Sequence, residues 1–355
     1  MSDVFTTDEG ALDPTEKSAG FAGILWRRLK RDRFAMSGLY VIMLLFVISY
    51  LAPVLANDKP LMMRYEGRLY FPAVAELFPL NKIVRYPELR RLDFQDLGDD
   101  RAVVLLRPLV PYSPYETSLV EKFQRPGSRH WMGTDDLGRD VASRMIHGAS
   151  ISLRVGFVAV GIALIIGLLA GALAGYYGGA VDIIISRIVE VVMCFPSFFL
   201  ILAVIAFLPP SIYNIMVVIG ITRWTAIARY TRGEFLRIKK QDYAYAAKAL
   251  GASDRKIIFR HILPNSLAPV LVSATFGIAN AILIEAALSF LGFGVQPPTA
   301  SWGGILSLAR EYIDVAWWLA TIPGIAIFVT VTAYNILGEG LRDASDPRQT
   351  LAESR

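Results

Sequence analysis

Long uncharged stretches alternate with polar segments along this chain, and the alternation predicts its architecture. A membrane-spanning helix needs about 20 apolar residues. The uncharged run 191–222 is too long for one helix and contains the Pro209–Pro210 pair. It therefore predicts two spans, near 185–208 and 212–230, and the second span has Arg223 and Arg229 toward its end. Six transmembrane helices follow, which makes the fold all-α and polytopic. The five runs free of Asp, Glu, Lys and Arg are 34–56, 155–177, 191–222, 262–284 and 315–337.

These spans divide the chain into five regions. Residues 1–19 are polar and predicted to be disordered, and the basic helix after them has an apolar stripe that favours the inner membrane surface. The stripe consists of Phe21, Ile24, Leu25 and Leu29. The predicted regions are a cytoplasmic tail and surface helix (1–33), a first span (34–56), a small external insertion (57–149), a transmembrane core (150–338) and a cytoplasmic tail (339–355).

A polar hairpin of two short helices is predicted over residues 242–264, between two long apolar runs. Asp242 is a candidate cap for the first helix, and Gly251 is the residue type that ends helices in the left-handed conformation. Ser253 is a candidate cap for the second helix, which Pro264 is expected to stop. Apolar residues recur at helical spacing in both: Tyr243, Ala246, Ala247 and Leu250 in the first, and Ile257, Ile258 and Ile262 in the second.

The hairpin also carries charge suited to a partner in water. Arg255, Lys256 and Arg260 lie away from the isoleucine stripe of the second helix. This pattern predicts a docking element for a cytoplasmic partner. A solvated cytoplasmic loop explains the spacing equally well, so the pattern alone does not choose between them.

The orientation follows from the distribution of basic residues in short loops. Residues 231–266 contain eight basic and three acidic residues, whereas the loops 209–211 and 294–314 contain one basic residue between them, Arg310. The hairpin is therefore predicted to be cytoplasmic. With six spans both termini are cytoplasmic too, in agreement with the basic stretch 26–33 ahead of the first span.

Composition supports a membrane protein and excludes several other classes. Hydrophobic residues make up 54% of the 355 residues and charged residues 19%, unlike a soluble domain. The net charge of +5 is explained by topology and membrane lipids, and no nucleic-acid motif accompanies it. A single cysteine, Cys194, rules out an internal disulfide.

Polar residues within the apolar runs are candidates for a translocation pathway. Glu285 ends a long apolar run, where an ionised group is costly, so a functional role is one hypothesis. An ion pair with Arg154 or a position at the membrane surface explains it as well. Asn280 lies on the same predicted helix and either faces a polar pathway or hydrogen-bonds to a neighbouring helix, as do Ser273 and Thr275.

Other features have structural interpretations. The spacing of Gly167, Gly171 and Gly175 favours close contact with another helix, within the chain or in a partner. The acidic and basic residues of GTDDLGRD (133–140) are interpreted as caps and ion pairs of an external helix rather than as acid–base catalysts. The three histidines are too far apart in sequence to predict a metal site, and no GxxxxGK[ST] loop is present to bind ATP phosphates.

At the hairpin the sequence AYAAKALGASDRKIIFRHILPN (244–265) resembles the EAA loop of permease subunits of binding-protein-dependent ABC importers. Three further segments resemble the peptide-importer subgroup and its C-type (DppC or OppC) permeases: HWMGTDDLGRDVASRMIHGASISLRVG (130–156), EAALSFLGFGVQPPTASWGGIL (285–306) and NILGEGLRDASDPR (335–348). The segment 57–72 is similar to YejE-type permeases, which are associated with peptide and microcin C uptake. Tyr245 departs from the family pattern, which has a glutamate there.

The resemblance implies a type I ABC importer permease in a bacterial inner membrane, moving peptides and carrying no cofactor of its own. ATP and Mg would be bound by two ATP-binding partner subunits, and a second homologous (DppB/OppB-like) permease and a periplasmic substrate-binding protein would complete the importer. The resemblance assigns ATPase coupling to a set of hairpin residues: Tyr245, Ala246, Ala247, Gly251, Ala252, Ser253, Arg260, His261 and Pro264.

Alternatives to this interpretation remain at the level of sequence. Nickel or another small solute is a possible cargo, because specificity in such systems lies mainly with the binding protein. An autonomous secondary transporter would show an internal repeat and ionisable groups in several spans, and neither is evident. A membrane enzyme would need a convergent set of catalytic residues, and the sequence offers none.

Overall fold

Long helices dominate the computed structural model, which describes residues 21–84, 86–92, 94 and 102–345. The predicted disordered tail 1–19 and the last ten residues lie outside these ranges. The helices are α1 (Phe21–Arg31), α2 (Arg33–Tyr50), α3 (Ala52–Leu55), α4 (Leu80–Ile83), α5 (Val141–Tyr177), α6 (Gly179–Met193), α7 (Ser197–Ala206), α8 (Ile212–Ile238), α9 (Asp242–Ala249), α10 (Asp254–Lys256), α11 (Leu263–Phe290), α12 (Trp302–Tyr312) and α13 (Trp318–Ser345). The strands are β1 (Met62–Tyr65), β2 (Arg68–Tyr70) and β3 (Ala102–Leu106).

Four helical stretches of the described chain are long and apolar enough to cross a membrane: α2, α5, the continuous helix 254–290, and α13. A fifth span results if the bent pair α6 and α7 counts as one. The one predicted span not accounted for in this way, 212–230, lies within helix α8, whose apolar run is interrupted by polar and basic residues such as Arg223. The count of six spans therefore stays a prediction that depends on α8.

The predicted continuous span 185–208 is wrong in one respect, because the chain bends there by 79° between α6 and α7. Pro196 stands at the start of α7 and explains the break. A proline lacks the N–H that would continue the α6 ladder, and it pushes the preceding residue, Phe195, out of helical conformation. The predicted span boundary rests only on the later Pro209–Pro210 pair.

Helix boundaries differ from the predicted regions at three places. Helix α2 ends at Tyr50, and Pro53 lies in the first turn of the separate helix α3, so the predicted span 34–56 is not one helix. Helix α5 begins at Val141, because the Asp140 carboxylate accepts a 2.7 Å hydrogen bond from the Ser143 N–H as its cap. Helix α13 continues to Ser345, past the predicted start of the tail at 339.

The core is built on the contact between α5 and α8. Three glycines of α5 face α8, and a Cβ at Gly167, Gly171 or Gly175 would lie within 2.7 Å of atoms of α8. The two backbones therefore approach more closely than any larger residue allows. Of the two predicted alternatives, contact within the chain and contact with a partner, the structure shows the contact within the chain. Around this pair, α2, α7, α11 and α13 add apolar residues to one buried cluster.

The insertion predicted to be external contains a three-stranded antiparallel sheet in the order β2–β1–β3, while the rest of the fold is helical as predicted. One face of the sheet is covered by a small buried cluster of Met63, Tyr70, Leu89 and Phe94. The other face carries exposed apolar residues, including Leu69 and Val103. The strands are only three to five residues long, too short to give a clear alternation in the sequence.

The motif 133–140 fixes the start of α5 with buried charges, which confirms its interpretation as caps and ion pairs. Arg139 Nε donates to Asp135 at 2.7 Å, and Asp140 accepts from both Ser143 N–H and the His130 ring, the latter at 2.8 Å. Burial raises the pKa of Asp140, and these hydrogen bonds oppose the rise. The segment that precedes α5 is thereby tied to the first turn of that helix.

Candidate functional site

The first half of the polar hairpin (residues 242–264) ends as predicted. Gly251 has φ +76°, its N–H bonds to the Lys248 carbonyl at 3.0 Å, and the Ala252 N–H bonds to the Ala247 carbonyl at 3.1 Å. These two bonds form a Schellman motif, which a residue with a Cβ adopts only with strain. The predicted cap is wrong, since Asp242 is the first helical residue of α9 and Gln241 precedes it without a side-chain bond.

The second half of the hairpin differs from the prediction at Pro264. Ser253 does occupy the cap position of α10, although its hydroxyl makes no cap hydrogen bond. After one α-helical turn the backbone forms a π-helix over Ile257–Ile262 and continues directly into α11. Pro264 therefore lies in the first turn of α11 and does not stop the helix. The wider π turn removes the clash between a proline ring and the carbonyl four residues earlier.

A buried cluster anchors the hairpin to the ends of two core helices. Ile257 and Ile262 pack against Tyr176 of α5 and Phe235 of α8, which confirms the predicted isoleucine stripe. The Tyr176 hydroxyl donates a 2.6 Å hydrogen bond to Asp254 at the start of α10. The hairpin therefore has a fixed position relative to α5 and α8.

The remaining surface of the hairpin is exposed, apolar and basic. Leu250 at the turn is 88% exposed, Phe259 is 64% exposed and Tyr245 is 59% exposed. Large apolar side chains in such a polar segment are typical of a protein contact surface. The sequence argument treated Leu250 as part of a helix stripe and gave Phe259 no role. Exposed basic side chains surround these residues: Arg255, Lys256 and Arg260.

The predicted coupling residues fall on this same element. Those that are exposed are Tyr245, Ala246, Gly251, Ser253, Arg260 and Pro264, and those that are half-buried are Ala247, Ala252 and His261. All nine residues are thus at least partly accessible, and the most exposed large apolar residues of the hairpin are Leu250 and Phe259. Nothing in the geometry requires a glutamate at position 245, where Tyr245 stands exposed.

Glu285 is fully buried near the end of α11. The Ser289 hydroxyl donates to one carboxylate oxygen at 2.8 Å, and Ser152 and Ser301 also face the carboxyl group. Arg154 is exposed and forms no ion pair with Glu285 within the described residues. The carboxylate therefore links α5, α11 and the start of α12.

Asn280 lines a cavity of about 210 Å³ between α5, α8 and α11, and its side-chain oxygen is buried without a hydrogen-bond partner. Arg223 of α8 lines the same cavity, together with the apolar residues Val160 and Phe276. Sequence reasoning accepted Arg223 only as a basic residue near the end of a span. Its membership of a site depends on the packing of three helices, which no local pattern reveals.

No group of three or more His, Cys, Asp or Glu residues in the described ranges is placed to hold a metal ion.

Comparison with known proteins places the chain in a family. Residues 163–351 match the family described as "Binding-protein-dependent transport system inner membrane component", and residues 20–71 match "N-terminal TM domain of oligopeptide transport permease C". Together these matches cover both ends of the described helical core.

Several relatives align over most of their length. The dipeptide transport system permease protein DppC of Alkalihalophilus pseudofirmus is 44% identical over 69% of this chain and 81% of that protein. The glutathione transport system permease protein GsiD of Pectobacterium atrosepticum is 43% identical over 66% of this chain and 79% of that protein. DppC of Bacillus subtilis is 34% identical over 91% of this chain and 84% of that protein.

These matches confirm the resemblance drawn from the sequence motifs and the type I permease fold that it implied. The chain therefore belongs to the binding-protein-dependent transport system inner membrane component family, as a permease subunit of the DppC/OppC type.

Proposed function

We propose that this chain forms one half of the translocation channel of an ATP-driven peptide importer. Its relatives are named as dipeptide and glutathione permeases, which supports small peptides as the cargo. The other half would be a second homologous permease, and a periplasmic binding protein would deliver the peptide. The basic residues of the hairpin loop support a cytoplasmic hairpin and cytoplasmic termini.

The observation that carries this proposal is the exposed surface of the polar hairpin. Leu250 and Phe259 are exposed on an element that is anchored to the core by Ile257 and Ile262. An apolar point surrounded by basic residues suits a groove on another protein. We infer that each of two ATP-binding subunits docks on such a hairpin, one on each permease. ATP and Mg would then be held by those subunits.

The test is co-purification of the tagged chain with its chromosomal neighbours in mild detergent. We expect a second permease and two ATP-binding subunits in stoichiometric amounts by mass spectrometry. Recovery of the folded chain alone would contradict the proposal. Uptake of a labelled dipeptide by proteoliposomes containing the complex and the binding protein tests the cargo, and absence of uptake would reject peptides.

A pair of variants tests the docking surface itself. Leu250→Glu places a charge at the 88% exposed tip and should release the ATP-binding subunits while the second permease stays bound. Val120→Glu is the matched control, because Val120 is 95% exposed but lies in the external segment. Retention of the ATP-binding subunits by Leu250→Glu would show that they do not dock on the hairpin tip.

A further inference from the structure

The cavity between α5, α8 and α11 holds an uncompensated positive charge. Within the described residues, Arg223 has no hydrogen bond or ion pair, and it is half-buried by the surrounding helices. Arg223 lies about 16 Å along α8 from its first residue, at 1.5 Å per residue, and so well inside the helix. An unpaired, half-buried guanidinium is costly, so such residues mark sites where an anion is bound or passes.

The cavity also holds an unpaired side-chain amide. Asn280 lines the same space as Arg223, and its side chain has no hydrogen bond within the described residues. Its oxygen is closed off from the cavity, so the amide N–H₂ is the part of the side chain left to a ligand. The site therefore combines two donor groups, a guanidinium and an amide, in a cavity whose walls also include the apolar residues Val160 and Phe276.

Both residues occupy the faces of their helices that form the cavity wall. On α8, Ile219, Arg223 and Ile227 recur every four residues, and on α11 the residues Phe276 and Asn280 do the same. Gly277 of α11 also lines the cavity, and a Cβ there would lie 3.3 Å from Val160. The packing of the three helices thus creates the space and places both polar residues in its wall.

We propose that Arg223 and Asn280 bind the carboxyl end of a peptide as it crosses the membrane. Arg223 would donate two parallel hydrogen bonds to the C-terminal carboxylate, and the Asn280 amide N–H₂ would donate to the carbonyl oxygen of the last peptide bond. Every linear peptide has these two groups whatever its side chains, so such a site suits a permease that does not select the peptide sequence. The inference rests on the proposed peptide cargo and adds a binding site to it.

The cavity size fits this assignment. Its volume of about 210 Å³ corresponds to roughly seven water molecules at about 30 Å³ each. A carboxylate with one adjoining peptide unit occupies a comparable space, whereas a whole large peptide does not. The site therefore holds one end of the cargo at a time, and the rest of the peptide lies outside it.

The test compares uptake of one labelled dipeptide as the free acid and as its C-terminal amide. The complete importer and its binding protein are reconstituted in proteoliposomes with wild-type chain, Arg223→Gln or Arg223→Lys. We expect Arg223→Gln to lower the maximal uptake rate of the acid about ten- to a hundred-fold, with partial recovery in Arg223→Lys. Uptake of the amide should be unchanged by either variant.

The same binding protein supplies wild-type and variant importers. Any preference of the binding protein for acid or amide therefore affects all of them equally and does not change the ratio of variant to wild-type uptake. Arg229→Gln is the matched control on α8, since Arg229 is exposed and lies outside the cavity, and its acid uptake should equal that of the wild type. An equal loss for acid and amide in Arg223→Gln would assign Arg223 to folding or subunit pairing and overturn the inference. Unchanged acid uptake would overturn it as well.

The outcome for the wild-type importer separates this inference from the proposed function. If the wild type takes up the dipeptide and Arg223→Gln does so equally, the function stands and the binding site falls. If the wild type takes up neither acid nor amide, peptides are not the cargo and both proposals fall.

Discussion

The contact between α5 and α8 gives a sharp test of the fold, through the substitution Gly171→Ala. A Cβ at Gly171 would lie 2.5 Å from the Ala228 carbonyl oxygen and 2.6 Å from Thr231 Cβ. Ordinary carbon–oxygen contacts are at least about 3.3 Å, so the helices would have to separate by about 0.8 Å. The clashing atoms belong to backbone or to Cβ and cannot rotate away.

The size of the effect follows from two opposing contributions. Overpacking of this kind costs about 1–3 kcal/mol. Replacing glycine by alanine inside a helix contributes about 1 kcal/mol in the opposite direction. Gly161 lies on the same helix, and a methyl group added there would meet nothing within 4 Å, so Gly161→Ala isolates the second contribution. We therefore expect Gly171→Ala to be less stable than Gly161→Ala by about 1–3 kcal/mol.

Thermal unfolding of the two purified variants in the same mild detergent measures this difference. Gly161→Ala should unfold at or above the wild-type temperature, and Gly171→Ala clearly below it. Equal unfolding temperatures for the two variants would refute the close α5–α8 contact. A loss in both would show that Gly161 is also covered, for example by the second permease.

Three further predictions concern the hairpin, the buried carboxylate and the start of α5. Gly251→Val, at φ +76°, should strain the hairpin turn by about 1–2 kcal/mol and lower ATP-coupled uptake while the chain still inserts in membranes, as measured by uptake and membrane fractionation. Glu285→Gln should keep uptake and thermal stability, whereas Glu285→Leu should lose about 1–3 kcal/mol by leaving buried hydroxyls unpaired. Asp140→Ala should lower the unfolding temperature more than Asp140→Asn. Asparagine still accepts the capping hydrogen bond, which contributes about 1 kcal/mol, and loses only the hydrogen bond between the carboxylate and the His130 ring, whereas alanine loses both.

Sequence reasoning predicted elements whose signals are local. Gly251 ends its helix because a glycine, which has no Cβ, adopts the left-handed conformation without strain. Asp140 caps α5 by accepting a hydrogen bond from the Ser143 N–H, only three residues away. The isoleucine stripe that anchors the hairpin was also evident from helical spacing. The permease family itself was indicated by the resemblance of longer segments, such as 244–265 and 130–156, to known importer permeases.

The prolines show where local rules fail. Pro196 breaks a span that hydropathy alone describes as continuous, while Pro264 continues a helix that the usual rule would end. The difference arises from the preceding backbone, which forms a π-helix over Ile257–Ile262 in the second case. Hydropathy does not report backbone hydrogen-bond register, so neither outcome follows from composition.

The residues that define the proposed binding site required the structure for another reason. Arg223 and Asn280 are 57 positions apart in the sequence, and each alone has an ordinary explanation as a span-end charge or an interhelix hydrogen bond. Only the packing of α5, α8 and α11 around one cavity brings them together and leaves both without partners among the described residues. Tertiary contact, not residue type, therefore gives them their assigned role.

The two ends of the polar hairpin are connected to the core differently, and this difference bears on how docking would be transmitted. Between α8 and α9 the chain leaves the helix for a turn at 239–241, so displacement of the hairpin can be absorbed there. On the other side α10 passes through the π-helix into α11 without a loop. A displacement strong enough to break the contacts with Tyr176 and Phe235 would therefore be passed to α11, which carries Asn280 in the cavity wall. Since Arg223 belongs to α8, motion of α11 relative to α8 would change the distance between the two halves of the proposed site, and release of a bound peptide would then follow from closure of the ATP-binding subunits.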